Sequence, residues 1–272
     1  MMILIKGILI CIPVLFGVYV LSTQGRTGHP GLKALRGWNY AHRGLHDENL
    51  PENSMAAFRA ALEASYGIEL DIHLMKDGNL AVIHDASLKR TAGADVKITD
   101  LTAADLENYL LGVTDEKIPL FSQVLELFAG KAPLIIDLKS DGNAAELVTT
   151  AVKAMEGYEG AYCMESFDPR VVYELKKQAP QIIRGQLTMD YFIEEKSPLP
   201  SPVKWFLTNQ AENFLTMPDF VSYRFSDCKT FSNTLARKFW GIQGVTWTLK
   251  TRAEFDEAVK HGWLPIFEGF KP

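Results

Sequence analysis

The chain has little cysteine, no excess of positive charge, and no glycine-rich phosphate loop. Its three cysteines, Cys11, Cys163 and Cys228, are too few and too scattered for a disulfide framework or a zinc-ligand spacing. Cys163 lies in an apolar run and reads as a small buried hydrophobe. With 28 Lys and Arg against 33 Asp and Glu, the net charge is −5, so the chain lacks the electrostatic footprint of a nucleic-acid binder. Nor does it have the excess of charge over apolar residues that would leave it disordered: 47% of its 272 residues are hydrophobic and 22% are charged. That length supports one large domain or two small ones.

The N-terminus differs in kind from the rest. Residues 7–25, between Lys6 and Arg26, carry no charge, and Met1 to Ile5 extend the apolar run. A membrane-spanning helix needs about 20 apolar residues. A cleaved signal peptide is the alternative, but Ser22 and Gly25 make a poor cleavage site. Residues 1–24 therefore read as a single-pass anchor in the cell membrane, of undetermined orientation. Residues 25–37 read as a glycine-rich linker around His29-Pro30-Gly31, and residues 38–272 as the folded domain.

Within that domain, eight apolar strand patterns alternate with helical ones. The strands are NYAHRG (39–44), IELDIHL (68–74), LIIDLK (134–139), AYCMESF (161–167), IIRGQL (182–187), FVSYRF (220–225), GVTWTL (244–249) and PIFEGF (265–270). Helical patterns include 101–111, 121–128 and an amphipathic stretch over 203–217. A ninth apolar segment, LAVIHD, follows the second strand across Asp77-Gly78, a strong hairpin signal. That gap is too short for a parallel crossover, so the return must be an antiparallel excursion. Eight β/α units then remain, the count for a closed (β/α)₈ TIM barrel with a β-hairpin insertion after strand 2. An open doubly wound sheet would normally carry a glycine-rich loop after its first strand, and GLHDEN after Arg43 is not one.

The polar residues of these strands are unusual. Glu69, Asp71 and Asp137 lie inside apolar strands, where an unpaired carboxylate is costly. If Asp77 and Gly78 form a two-residue turn, Asp71 pairs directly with His84 and shares its face, and Glu69 lies on that face too. Three acids without a cysteine or histidine cage suit a hard divalent cation, Mg²⁺ or Ca²⁺. The alternative is a buried network in which Lys139 and Arg43 neutralise the acids. His42 and His84, both at strand ends, fit an acid/base pair, while Arg43 and Lys139 offer charge to a phosphate. These parts together describe metal-assisted phosphoryl chemistry.

The segments AHRG (41–44), PENSMAAF (51–58), IELDIHLMKDG (68–78), VIHDASLKRT (82–91), IIDLK (135–139), ESFDP (165–169) and TWTL (246–249) resemble the glycerophosphodiester phosphodiesterase family in order and spacing. That resemblance implies a TIM barrel with the His-Asp segment on a hairpin. It implies His42 and His84 as catalytic acid and base, Glu69, Asp71 and Asp137 as metal ligands, Arg43 and Lys139 at the phosphate, and Trp247 as an aromatic wall of the substrate pocket. The substrate would be a small-molecule glycerophosphodiester; a lysolipid, handled as by a lysophospholipase D or sphingomyelinase D-like enzyme, is the second possibility. A non-catalytic membrane-tethered barrel is the third. No obligate protein partner is evident. Two positions depart from the family pattern: Asp137 replaces the usual Glu, and Glu268 stands where the last strand usually carries Asp.

Overall fold

The computed structural model describes residues 2–194 and 197–272, with side chains from Cys11 onward apart from residues 195 and 196. Nine strands form a single sheet: β1 Tyr40–His42, β2 Gly67–Leu74, β3 Leu80–Val82, β4 Leu134–Lys139, β5 Tyr162–Ser166, β6 Arg184–Thr188, β7 Phe220–Arg224, β8 Gln243–Leu249 and β9 Leu264–Phe267. β1 pairs in parallel with both β2 and β9, which closes the sheet. The eight parallel strands β1, β2 and β4 to β9 make the expected barrel, and β3 pairs antiparallel with β2 alone.

The strands read as continuous apolar runs because both faces are covered. Ile68, Leu70 and Ile72 of β2 and Leu134, Ile136 and Leu138 of β4 point outward into the core under the helices. The outer helices start at residues suited to capping. Ser54 accepts the amide of Ala57 ahead of Met55–Glu63, and Asp168 accepts that of Arg170 ahead of Pro169–Gln178. Thr251 and Glu254 form a reciprocal capping box at the start of Arg252–Lys260.

A second apolar cluster fills the barrel floor: Tyr40, Ile135, Cys163, Phe220 and Leu264 with Leu32 and Leu35. The last two come from the segment read as a linker. A short helix, Leu32–Leu35, seats them against the floor, and Tyr40 Oη donates to the Leu35 carbonyl at 2.7 Å. Residues 25–37 are thus folded against the barrel, with Arg26 paired in two hydrogen bonds of 2.6 Å to buried Asp219. Gly185 of β6 leaves room for the Phe220 ring: an added Cβ would lie 2.1 Å from it. Gly185→Ala is expected to cost about 1–3 kcal/mol as an overpacked core. Urea unfolding measures this, and an unchanged midpoint would remove Phe220 from the role of floor plug.

Two helical expectations fail. Over 101–111 only a 3₁₀ turn forms, Asp105–Asn108. Asp105 turns back to accept Thr102 N and Oγ1, while Leu101, Leu106 and Leu111 are drawn into a small core under the hairpin with Ile83, Leu88 and Ile98. Tertiary packing overrides helical spacing there. The 203–217 stretch breaks into Ser201–Thr208 and Asn213–Thr216, with Gln210 at φ +55° between them.

A helix runs over Met2–Ser22. Among the described residues no helix is long and apolar enough to cross a membrane. The side chains of residues 1–10 lie outside the described set, so the structure lends the expected spanning helix over 1–24 no support of its own.

Candidate active site

The barrel places its acids by register. Asp71 of β2 pairs with Asp137 of β4, which pairs with Glu165 of β5, and His42 of β1 pairs with Glu69. Register partners on parallel strands share a face, so these groups form two adjoining inward rows, His42 with Glu69 and Asp71 with Asp137 and Glu165, near the C-terminal strand ends. They line one cavity with Arg43, His84, Lys139, Phe167 and Trp247. All eight residues expected to form the site meet there.

The hairpin arrives by a different route from the one the sequence suggests. Its ladder pairs Ile72 with Val82 and Leu74 with Leu80, one residue off the expected register. The turn holds three residues, Lys76 to Gly78, closed by Met75 N donating to Asn79 O at 2.9 Å, with Gly78 at φ +80°. Asp71 therefore faces Ile83, whose amide donates to the Asp71 carbonyl at 3.1 Å. His84 reaches the mouth because the chain leaves the ladder after Val82. His73, buried on β2, holds that exit: Nε2 donates to the His84 carbonyl at 3.1 Å, and Nδ1 meets Asp141 Oδ2 at 2.8 Å.

Each histidine of the pair has Nδ1 tied to a carboxylate. His42 Nδ1 lies 2.6 Å from Glu268 Oε2, and His84 Nδ1 lies 2.7 Å from Asp85 Oδ1. A carboxylate oxygen only accepts, so both Nδ1 atoms carry hydrogen and both Nε2 atoms are left for proton transfer. Burial pushes the His42 pKa down, partly countered by the bond to Glu268. Burial also pushes His84 down, to about 4, with Lys139 acting in the same direction.

Around the acids, Lys139 Nζ bonds to Asp137 Oδ2 and lies 2.9 Å from Asp71 Oδ1. Asn53 Nδ2 donates to Asp71 Oδ2 at 2.8 Å, and Arg43 N donates to Glu69 Oε2 at 3.1 Å. Burial alone would raise Asp71, but Lys139, His84 and Arg43 outweigh it and hold the carboxyl well below its ordinary range. Burial, reinforced by Asp71, lifts Glu69 well above its range, and Asp137 is also raised, burial prevailing over Lys139. Glu69, Asp71 and Asp137 each offer an oxygen within 4.8 Å of the others, so this buried cluster is a place where a metal ion could bind. His42, His46 and Glu268 also gather donors within 4.8 Å, but there the imidazole and carboxylate already satisfy each other.

Several participants escaped the sequence reading. Glu165, 1% exposed, is a fourth carboxylate of the site, and burial with Asp137 nearby lifts its pKa well above the usual range. Its position in a strand with the same in-out alternation as IIDLK was the available signal. A ring of charges also ties the hairpin to the barrel: Asp85 to Arg90 at 2.6 Å, Arg90 to Glu52 at 2.7 Å, and Glu52 to Arg43 at 2.9 Å. No local pattern announces contacts that span 38 residues. Glu268, the departure at the last strand, is the partner of His42.

The His42 bond, more than burial can oppose, holds Glu268 down at about 2. Its folded pKa is below the unfolded value of about 4.3, so its contribution to stability is complete above that value and disappears as pH falls towards 2. The melting-temperature gap between wild type and Glu268→Gln should thus be wide at pH 6 and narrow at pH 3. A gap independent of pH would show that the pair does not form.

The model of the glycerophosphoryl diester phosphodiesterase family matches residues 42–268. A glycerophosphodiester phosphodiesterase of Caldanaerobacter subterraneus is 28% identical over 237 residues, covering 82% of this chain and 89% of the relative. A lysophospholipase D of Rattus norvegicus is 40% identical over 116 residues, which is 38% of this chain and 36% of that protein. Among solved structures, an Oleispira antarctica phosphodiesterase in complex with the product sn-glycerol-3-phosphate superposes with a TM-score of 0.71 at 20% identity, covering 89% of this chain and 95% of that one. With the family model spanning most of the barrel and the family's motif residues gathered in one cavity, the chain belongs to the glycerophosphoryl diester phosphodiesterase family and is a phosphoric diester hydrolase.

Proposed function

We propose that the chain hydrolyses glycerophosphodiesters, the deacylated forms of phospholipids, to glycerol phosphate and an alcohol, with His42 and His84 as acid and base. The observation that carries this is the pair of imidazoles with both Nδ1 atoms locked and both Nε2 atoms at one cavity lined by acids and cations. One imidazole acts in its neutral form, its Nε2 taking the proton of the attacking hydroxyl, and the other acts as imidazolium, its Nε2 giving a proton to the leaving alcohol. Where the substrate's own glycerol rather than water attacks, water opens the resulting cyclic phosphate in a second step with the two roles reversed. Arg43 and Lys139 attract and orient the phosphate. Trp247 and Phe167, edge to face at 5.5 Å, form an apolar wall that excludes water from one side.

The residues fit a divalent cation. Asp137 Oδ1 is buried and has no hydrogen-bond partner, and the donors are carboxylate oxygens, the set that suits Mg²⁺ or Ca²⁺. Glu69, Asp71 and Asp137 would hold the ion. When bound, it supplies charge neutralisation for the phosphate oxygens. Asp137 sits in the cluster despite being one methylene shorter than the family's usual Glu, which argues against a decayed, non-catalytic barrel.

A second reading, with a lysolipid as substrate, is favoured by exposed Phe192 and Ile193 in the loop that follows β6 at the mouth. The charge-free residues 7–25 support a single-pass anchor in the cell membrane. Assays of the full chain with Mg²⁺ on glycerophosphocholine and on lysophosphatidylcholine distinguish the two substrates. Faster release of glycerol phosphate from the first is expected, turnover of the second alone would transfer the assignment to lysolipids, and turnover of neither would reject both.

A further inference from the structure

We infer that the barrel flank carrying Trp205, Phe231 and Phe239 lies in the headgroup interface of a lipid bilayer, next to the point where the N-terminal helix enters it. This rests on the anchor reading and adds where the barrel must sit. The described end of that helix has no polar face. Ile12, Val14, Leu15, Phe16, Val18 and Leu21 are all at least half exposed, from 53% at Phe16 to 66% at Leu15. A helix that is apolar on every side needs an apolar medium on every side. A protein partner or a second copy docking in a groove would cover one face, whereas a bilayer covers them all.

The helix has no slack at its exit. It ends at Ser22, and Thr23 is fully buried. Trp240 Nε1 lies 3.1 Å from both the Val20 carbonyl and Thr23 Oγ1, and Asn213 Nδ2 donates to the Thr23 carbonyl at 3.3 Å. Arg26, three residues on, is paired to buried Asp219. Three residues reach at most about 11 Å, so the barrel cannot stand away from a membrane that holds the helix.

The surface at the exit has the composition of a membrane interface. Tyr19 packs on Trp205 at 6.0 Å and on Phe231 at 6.3 Å, and Tyr19 Oη donates to Asn209 Oδ1 at 3.4 Å. Trp205, Phe231 and Phe239 remain 50%, 58% and 65% exposed. The amphipathic rings of Tyr19 and Trp205 are favoured at the depth of lipid headgroups, and the apolar Phe rings beside them at the acyl side of that layer.

The experiment reconstitutes the full chain into phosphatidylcholine vesicles, with and without bromine on the acyl chains, and reads tryptophan emission and flotation. The five tryptophans all lie outside residues 1–24, so the anchor itself contributes no signal. The expected result is flotation with the vesicles and a bromine-quenched component that falls in Trp205→Phe, Trp240 at the helix exit supplying what remains. That variant should keep wild-type turnover of soluble glycerophosphocholine, which shows that it folds. Flotation with a quenched component identical in Trp205→Phe would overturn the interface while keeping the anchor. Failure of the chain to float would overturn both.

Discussion

His84→Ala and His42→Ala should each lower kcat for glycerophosphodiester hydrolysis by about 10²–10⁴-fold, the range for a positioned proton donor or acceptor. Divalent-cation affinity should hardly change, because neither imidazole belongs to the Glu69, Asp71 and Asp137 cluster. The two variants fail for different structural reasons. His42 stands on a barrel strand and is braced by Glu268 from the end of β9. His84 is delivered by the chain leaving the hairpin, and its place depends on His73 and on the ring through Asp85, Arg90 and Glu52. Steady-state kinetics with isothermal titration of Mg²⁺ measures both properties. A variant with wild-type kcat would remove that histidine from the chemistry, and one that loses cation binding would make it a ligand instead.

The second large effect concerns stability. Lys139 Nζ lies against both Asp71 and Asp137, all three groups being inside the barrel. Burial alone would lower the lysine pKa, but the two acids overcome this and push it above its ordinary value. Removing one partner of a buried ion pair strands the other charge, at a cost of about 3–5 kcal/mol. Lys139→Met should therefore be destabilised by about that much in chelator. Added Mg²⁺ should restore part of the loss, since a divalent cation among the same carboxylates supplies the missing positive charge, and a ligand that binds only the folded state stabilises it. Denaturant titration with EDTA and with Mg²⁺ tests this. Equal loss in both conditions would show that the ion does not bind at these acids.

Much of this architecture was legible because a parallel barrel strand is an apolar run, and eight such runs with helical patterns between them leave few topologies. The polar residues within the runs stood out for the same reason: Glu69, Asp71 and Asp137 are costly where they sit unless something pairs with them. What escaped was set by contacts distant in sequence. The hairpin register turned on whether the turn held two residues or three, a choice that Asp77-Gly78 permits either way. The 101–111 segment has helical spacing, but its leucines fill a separate small core under the hairpin. Residues 25–37 have a linker's composition, yet Leu32 and Leu35 close the barrel floor. Glu52, Asp85 and Arg90 form a ring only when the hairpin folds back over β1.

The central claim is that residues from β1, β2, β4 and the hairpin act as one metal-assisted phosphodiesterase site. Its most direct test follows phosphorus-31 resonances of glycerophosphocholine incubated with the full chain. With Mg²⁺ the diester signal should give way to that of glycerol phosphate, and neither EDTA-treated enzyme nor the His42→Ala/His84→Ala double variant should produce it at a comparable rate. Product formation undiminished by EDTA, or undiminished in the double variant, would contradict the claim.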